Sequence, residues 1–337
     1  MNAQLRQTMR APRLGFLGLG WIGCQRMQVL ADSGIATVAA IADSHPEAQA
    51  KAAQHVPGAR RCDDIDGLLD DGDLDGVVIA TPSAAHARQA IAALERGLAV
   101  FCQKPLARTA AEVAQVLDAA QHADRLLGVD FSYRAMAGVP ELRERVRAGE
   151  LGTIYAVDLV FHNAYGPDKP WFYDIAQSGG GCVMDLGTHL VDMAQWICGS
   201  AGHDALVADL YAQGERLRVP IDRVEDYAAA QWRMDNGASV RMACSWRLPA
   251  GCDAVIEVSF HGTRGGAAIR NVGGSFYDFI VERLDGTTRT TLASPPDAWG
   301  GRMLVAWAER LREGAGFDPA AMQWLQVART VDAIYGR

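Results

Sequence analysis

The apolar run Leu14–Leu17 leads without a spacer into Gly18-Leu19-Gly20-Trp21-Ile22-Gly23, and a helical pattern, Ile22–Ala31, begins inside that turn. This order limits what the chain can fold into. A G-x-G-x-x-G turn between a strand and a helix is the phosphate-binding corner of a doubly wound α/β sheet. Gly18 permits the tight turn, Gly20 lets the backbone approach a pyrophosphate, and Gly23 lets the helix pack close to the sheet. The first helical turn, with Trp21 and Ile22, offers N–H donors and a partial positive charge to an anion. In a chain with 35 glycines the pattern alone says little, and its place between strand and helix gives it weight.

The rest of the N-terminal third repeats the alternation. Apolar runs at Thr37–Ala42, Gly76–Ala80, Leu98–Cys102 and Leu126–Phe131 are separated by helical patterns. Two of those are Ala84–Arg96, stopped by Gly97, and Thr109–Ala123, with Thr109 as N-cap. Apolar runs without period-two alternation indicate a parallel sheet covered on both faces. After Gly149 the pattern changes. Ile154–His162 alternates like a half-exposed strand. Asp235-Asn236-Gly237 separates Tyr227–Met234 from Ala238–Trp246, and Asp285-Gly286 separates Phe276–Leu284 from Thr287–Leu292. Both read as hairpins. Helices are expected over Cys182–Ile197, Gly301–Glu313 and Pro319–Tyr335. The expected class is α/β: an N-terminal Rossmann domain with a doubly wound parallel sheet over 1–130, then a C-terminal α+β domain over 131–337. The second domain is expected to carry a large, mainly antiparallel open sheet.

Bulk properties exclude several function classes. A net charge of -8 with no Lys/Arg run argues against a nucleic-acid partner. Seven cysteines without a C-x-x-C pair suggest neither a disulfide framework nor a zinc site. Reduced thiols in a cytoplasmic protein are the expectation. The stretch Met1–Pro12 is polar, lacks the apolar core of a signal peptide, and reads as a short frayed tail. No apolar run is long enough for a bilayer, so no membrane association is expected.

Candidate site residues follow from position. Asp43 ends the second apolar run about 20 residues past the fingerprint, where a carboxylate accepts from a ribose 2′-OH and repels a 2′-phosphate. No Arg follows it, which favours NAD and leaves NADP open. A plain turn acid is the simpler alternative. Gln103-Lys104-Pro105 sits at the carboxyl end of a predicted strand, where open α/β sheets bind ligands. Lys104 there could polarise a carbonyl or lower a hydroxyl pKa, although position alone favours a solvated surface lysine. Asp185 and His189, four apart on a helix, share one face. Histidine is the natural proton carrier near neutral pH. Taken by itself, D-x-x-x-H reads more readily as a core histidine beside a helix-start acid. No third ligand falls in a sensible frame, so no metal is expected. Tyr165, Lys169 and Trp171, with Phe172 and Tyr173, could stack on and hydrogen-bond to a sugar, or equally belong to core or interface.

In order along the chain stand GLGWIG at 18–23, Ala42-Asp43, Ala80-Thr81-Pro82-Ser83 with His86, QKP at 103–105, Tyr133-Arg134, and GGGCVMDLGTHLVD at 179–192. As an ordered set they resemble the glucose–fructose oxidoreductase / inositol dehydrogenase (Gfo/Idh/MocA) family over nearly the whole chain. The resemblance turns the alternatives above towards function. It implies that Lys104 touches the nicotinamide ribose and the substrate hydroxyl. His189 would transfer a proton, and Asp185 would bind substrate and support His189. Thr81, Pro82 and His86 would line the cofactor with Gln103, and Arg134 would face substrate. The family usually has Glu at the place of Gln103, which removes a charge near Lys104. The implied reaction is hydride transfer between a nicotinamide cofactor and a hydroxyl or carbonyl of a sugar, cyclitol or sugar derivative. A homodimer or homotetramer through the C-terminal sheet is also implied. Two alternatives remain within the resemblance: a redox-neutral, NAD-dependent glycoside hydrolase or lyase, and a non-enzymatic dinucleotide-binding regulator.

Overall fold

The structure, a computed structural model, describes residues 10–70 and 72–337. Most of the expected N-terminal tail, up to Met9, lies outside the described residues. The chain divides into two compact units.

The first unit is built on six parallel strands: β1 (Arg13–Leu17), β2 (Thr37–Ala42), β3 (Arg60–Cys62), β4 (Gly76–Ile79), β5 (Ala99–Gln103) and β6 (Leu127–Asp130). Their order is β3-β2-β1-β4-β5-β6, with every pairing parallel. β1 and β4 are neighbours although far apart in sequence, so the winding reverses between them. The crevice past their carboxyl ends is where such sheets take ligands. Every residue of β4, β5 and β6 is buried, which is why these strands read as unbroken apolar runs.

The helix Arg302–Arg312 also belongs to this unit. Its Leu304, Trp307 and Ala308 join a core with Phe16, Met27, Leu30 and Phe101, and the Trp307 and Phe101 rings lie 5.6 Å apart. A single division at residue 130 therefore does not describe the units. The sequence showed the helix, but these packing partners lie 200 or more residues away and leave no local mark.

The second unit holds nine strands: β7 (Ile154–Asn163), β8 (Asp204–Ala212), β9 (Glu215–Arg216), β10 (Tyr227–Arg233), β11 (Ser239–Ser245), β12 (Ala254–Gly262), β13 (Gly265–Asn271), β14 (Phe279–Asp285) and β15 (Thr288–Ala293). They run in the order β15-β14-β13-β12-β7-β11-β10-β8-β9. Only β7 and β11 pair in parallel. Both expected hairpins form, β10–β11 and β14–β15. The helix Thr188–Cys198 packs against β7 and between the helices Val139–Arg147 and Gln323–Ile334. It is buried on nearly all sides. The helix expected from Cys182 to Ile197 is not uniform: Val183–Gly187 is π-helical, and regular α geometry begins at Thr188.

All seven cysteines are free thiols. Among the described residues no helix is long and apolar enough to cross a membrane, and no three His, Cys, Asp or Glu residues group as metal ligands.

Candidate functional site

The first group of candidate residues lies in the parallel-sheet unit. Gly18 has φ +91°, and a Cβ there would fall 2.5 Å from the Ala80 backbone. A Cβ on Gly23 would lie 2.0 Å from the Gly18 carbonyl oxygen. Side chains at either place would push the turn off β4. At Gly20 an added Cβ meets nothing within 4 Å. The turn is thus packed tightly from behind and open at its middle glycine. Gly20 is also the N-cap of the helix Trp21–Ser33 and brings no side chain to its amides. Trp21, 67% exposed, and Ile22 begin that helix. Asp43 reaches back across the corner: its Oδ2 accepts from the Leu19 amide at 2.7 Å and its Oδ1 from the His45 amide at 2.8 Å. These two bonds hold its carboxylate beside the turn. An open amide-lined turn flanked by a fixed carboxylate fits a dinucleotide.

Around this corner, Thr81 donates its hydroxyl to Gln89 Oε1 at 2.6 Å, and Pro82 is the N-cap of the helix Ser83–Glu95. His86 differs from expectation. It is buried, with Nδ1 2.7 Å from the Pro105 carbonyl and Nε2 2.7 Å from the Thr81 carbonyl. Its ring therefore ties the segment after β4 to the one after β5, and does not form an open lining. Burial drives its pKa below the ordinary 6.5, against the pull of both carbonyls. A folded-state pKa below the unfolded one means that acid favours the unfolded chain. The stability involved is present above about pH 6.5 and is lost as pH falls through the lowered value. Urea denaturation of His86→Gln is expected to show a flatter stability profile between about pH 7 and 5 than the parent. Equal slopes would remove His86 as the source.

Gln103, expected at the cofactor, turns its amide to Asp130 on the neighbouring strand, Nε2 to Oδ2 at 2.5 Å. Arg26 Nε donates to the same oxygen at 2.6 Å. Lys104 follows, and the Lys104–Pro105 peptide is cis.

The second group lies in the antiparallel-sheet unit. Asp185 sits in the π-helical turn, and His189 is the second residue of the α-helix that follows. π turns inside helices recur at functional sites because they re-aim side chains. Asp185 Oδ2 accepts from the Trp246 indole N–H at 3.1 Å. The Tyr133 ring lies 4.7 Å from the His189 ring and also packs on Phe161, Phe279 and Trp299. Burial, and then the charge of Asp185, push the Tyr133 hydroxyl pKa far up. That hydroxyl keeps its proton and can only act as a neutral hydrogen-bonding group.

The expected substrate residues separate. Arg134 is buried and forks onto Asp192, Nε to Oδ2 at 2.8 Å with Nη2 on Oδ1, and covers the Trp196 ring. A guanidinium held this way orders the fold next to Tyr133, and its fork is not presented to a ligand. Trp171 stacks on Phe172 at 3.8 Å; Phe172 and Tyr173 both pack on Trp246. The aromatic loop is thereby connected to Asp185 through Trp246. Tyr165 is half exposed beside Phe276, and Lys169 pairs with Asp168 at 3.0 Å in the open. Sequence reasoning missed Trp246 and Asp130. Each faces its partner across the fold, and only the end-of-strand position of Trp246 hinted at it.

Fold and residues together define a two-unit protein, with a Rossmann-type parallel sheet in one unit and a mainly antiparallel sheet in the other. The chain belongs to the GFO/IDH/MocA oxidoreductase family: the family model for its NAD-binding Rossmann fold matches residues 13–131, and that for its C-terminal domain matches 139–268. It is similar to levoglucosan dehydrogenase of Pseudarthrobacter phenanthrenivorans, 32% identical over 252 residues, which are 67% of this chain and 63% of that one. It is also similar to the rhizopine catabolism protein MocA of Rhizobium meliloti, 30% identical over 187 residues, 56% of this chain and 57% of the relative. These alignments span less than two thirds of either relative. A levoglucosan dehydrogenase structure in complex with NADH and levoglucosan shares the fold, with a TM-score of 0.83 at 24% identity over 97% of each chain.

Proposed function

We propose that this protein is an NAD-dependent dehydrogenase acting on a hydroxyl of a sugar, cyclitol or sugar derivative. One observation carries the reading. The same chain holds a fingerprint turn open at Gly20 beside a fixed Asp43, and a π-turn bearing Asp185 that runs directly into the helix bearing His189. The relatives' names, a levoglucosan dehydrogenase among them, support the substrate class.

The Gly18–Gly23 turn and the first amides of the helix Trp21–Ser33 would hold the pyrophosphate, and Asp43 the adenosine ribose. Bound NAD supplies the hydride acceptor. His189 takes the proton of the substrate hydroxyl as the carbon gives up its hydride, so that C–OH becomes C=O, and returns it in the reverse direction. Asp185, held by the Trp246 indole, orients the substrate hydroxyl and supports the charged imidazole. Lys104 adds positive charge that stabilises a developing alkoxide. Asp43 sets the preference for NAD, because a 2′-phosphate would meet its carboxylate.

The test is absorbance at the reduced-nicotinamide band with purified protein, NAD or NADP, and a panel of anhydrosugars, hexoses, cyclitols and sugar acids. Reduction of NAD but not NADP on one chemical group of the panel is the expected result. NAD retained with no reduction across the panel would overturn the reading.

A further inference from the structure

Glu225 has no part in the proposed chemistry, yet it is fully buried. It lies just before β10, 40 residues from Asp185 in sequence. Its Oε2 accepts from the Gly181 amide at 2.9 Å and its Oε1 from the Val183 amide at 2.8 Å. Oε1 also accepts from the Tyr335 hydroxyl at 2.8 Å, and the Tyr335 oxygen accepts from the Met184 amide at 3.1 Å. The Glu225 carbonyl takes the Cys182 amide at 3.0 Å. Four successive amides, 181 to 184, thus end on Glu225 or on the hydroxyl it holds. The first turn of a helix leaves amides without partners, and a carboxylate there is favoured by the helix dipole. Most helices are capped from their own flanking residue. This one is capped from a remote loop. Gly181 is required by that approach, since a Cβ on it would lie 1.9 Å from the Glu225 carbonyl oxygen.

The same loop holds the other end of Asp185. The Asp226 carbonyl accepts from the Trp246 amide at 2.7 Å, and the Trp246 indole donates to Asp185 at 3.1 Å. One dipeptide, Glu225-Asp226, therefore fixes the turn from which Asp185 projects and the indole to which its carboxylate is bonded.

We infer that Glu225 is a positioning residue for the reaction: by capping the π-turn through Gly181, Val183 and Tyr335, it sets where the Asp185 carboxylate stands. The inference rests on the role proposed for Asp185. Burial raises the Glu225 pKa, while the amide and hydroxyl donors oppose that rise. Glu225→Gln keeps the size but faces two amide donors with at most one oxygen, so one of the bonds is lost and the turn shifts.

The test uses the whole protein with 5-fluorotryptophan at its eight tryptophans. Trp246→Phe assigns the Trp246 fluorine resonance, and Asp185→Asn establishes that it reports the contact with Asp185. In Glu225→Gln the Trp246 resonance is expected to move. Turnover on the sugar substrate is expected to fall about 100-fold, the cost of a misplacement near 1 Å, while KM and the NAD dissociation constant stay within about twofold. A general structural role would weaken NAD binding or stability without singling out this resonance. An unmoved resonance, or turnover within about threefold of the parent, overturns the inference. If Glu225→Gln does not fold, Tyr335→Phe decides. It removes one donor to Oε1 and the acceptor for Met184, and should move the same resonance with a loss of about fivefold in turnover. Silence in both readouts overturns the inference. If the parent reduces NAD with no sugar, the functional proposal fails, but the fluorine measurement still answers whether Glu225 places Asp185.

Discussion

His189→Ala is expected to lower turnover by about 10²- to 10⁴-fold while the NAD dissociation constant changes by less than about twofold. The range is what a positioned proton carrier contributes in other enzymes. The second part of the expectation comes from where the groups lie. The amides, glycines and carboxylate that fit a dinucleotide all belong to the parallel-sheet unit, whereas His189 belongs to the helix Thr188–Cys198 of the other. His189 is 9% exposed and packs on the Tyr133 ring, so Ala also removes some packing. Thermal stability has to be followed alongside, and His189→Asn, which retains more volume, should lose turnover to a similar degree. Calorimetric titration with NAD and steady-state rates on the same preparations decide it. If binding and turnover fall together, His189 is holding the fold, and the proton-carrier role is lost.

What could be read from sequence was what depends on near neighbours. The turn at Gly18–Gly23, Asp43 and the spacing of Asp185 from His189 are all set within about one strand–turn–helix unit, where periodicity and glycine placement speak directly. The two hairpins at Asn236-Gly237 and Asp285-Gly286 belong to the same category. What escaped is set by partners distant in sequence. The π-turn at Val183–Gly187 has its leading amides bonded to Glu225, and nothing in VMDLG distinguishes it from an ordinary helical start. His86 and Arg134 stood in the right segments, but their carbonyl and carboxylate partners appeared only when the chain was folded. The helix Arg302–Arg312 is amphipathic by sequence, yet which sheet its Trp307 would bury against depended on Gly128 leaving room beside Phe101.

Gln103→Glu, which would restore the residue usual in the family, is expected to destabilise this chain by roughly 2–3 kcal/mol near pH 8, the scale of a buried charged group left facing a like charge. The reason is Asp130, buried opposite Gln103 in the β5–β6 pairing. Its Oδ2 receives the Gln103 amide and the Arg26 guanidinium together. A glutamate would set an oxygen where the amide nitrogen now donates, giving two carboxylates one guanidinium. One of the pair would then hold its proton far above the usual carboxylate range. The sign follows. The folded state of the variant binds a proton that the unfolded state releases near pH 4, so its deficit is small in acid and grows as pH rises through the elevated value. Urea denaturation between about pH 5 and 8 should show the variant approaching the parent at the acid end. Exchanging the two groups, Gln103→Glu with Asp130→Asn, restores one carboxylate, one amide and one guanidinium, and most of the loss should be recovered. A double variant no better than the single one would mean that shape, rather than charge, fixes glutamine at 103. Recovery would mean that the negative charge missing from QKP is carried one strand away, at Asp130.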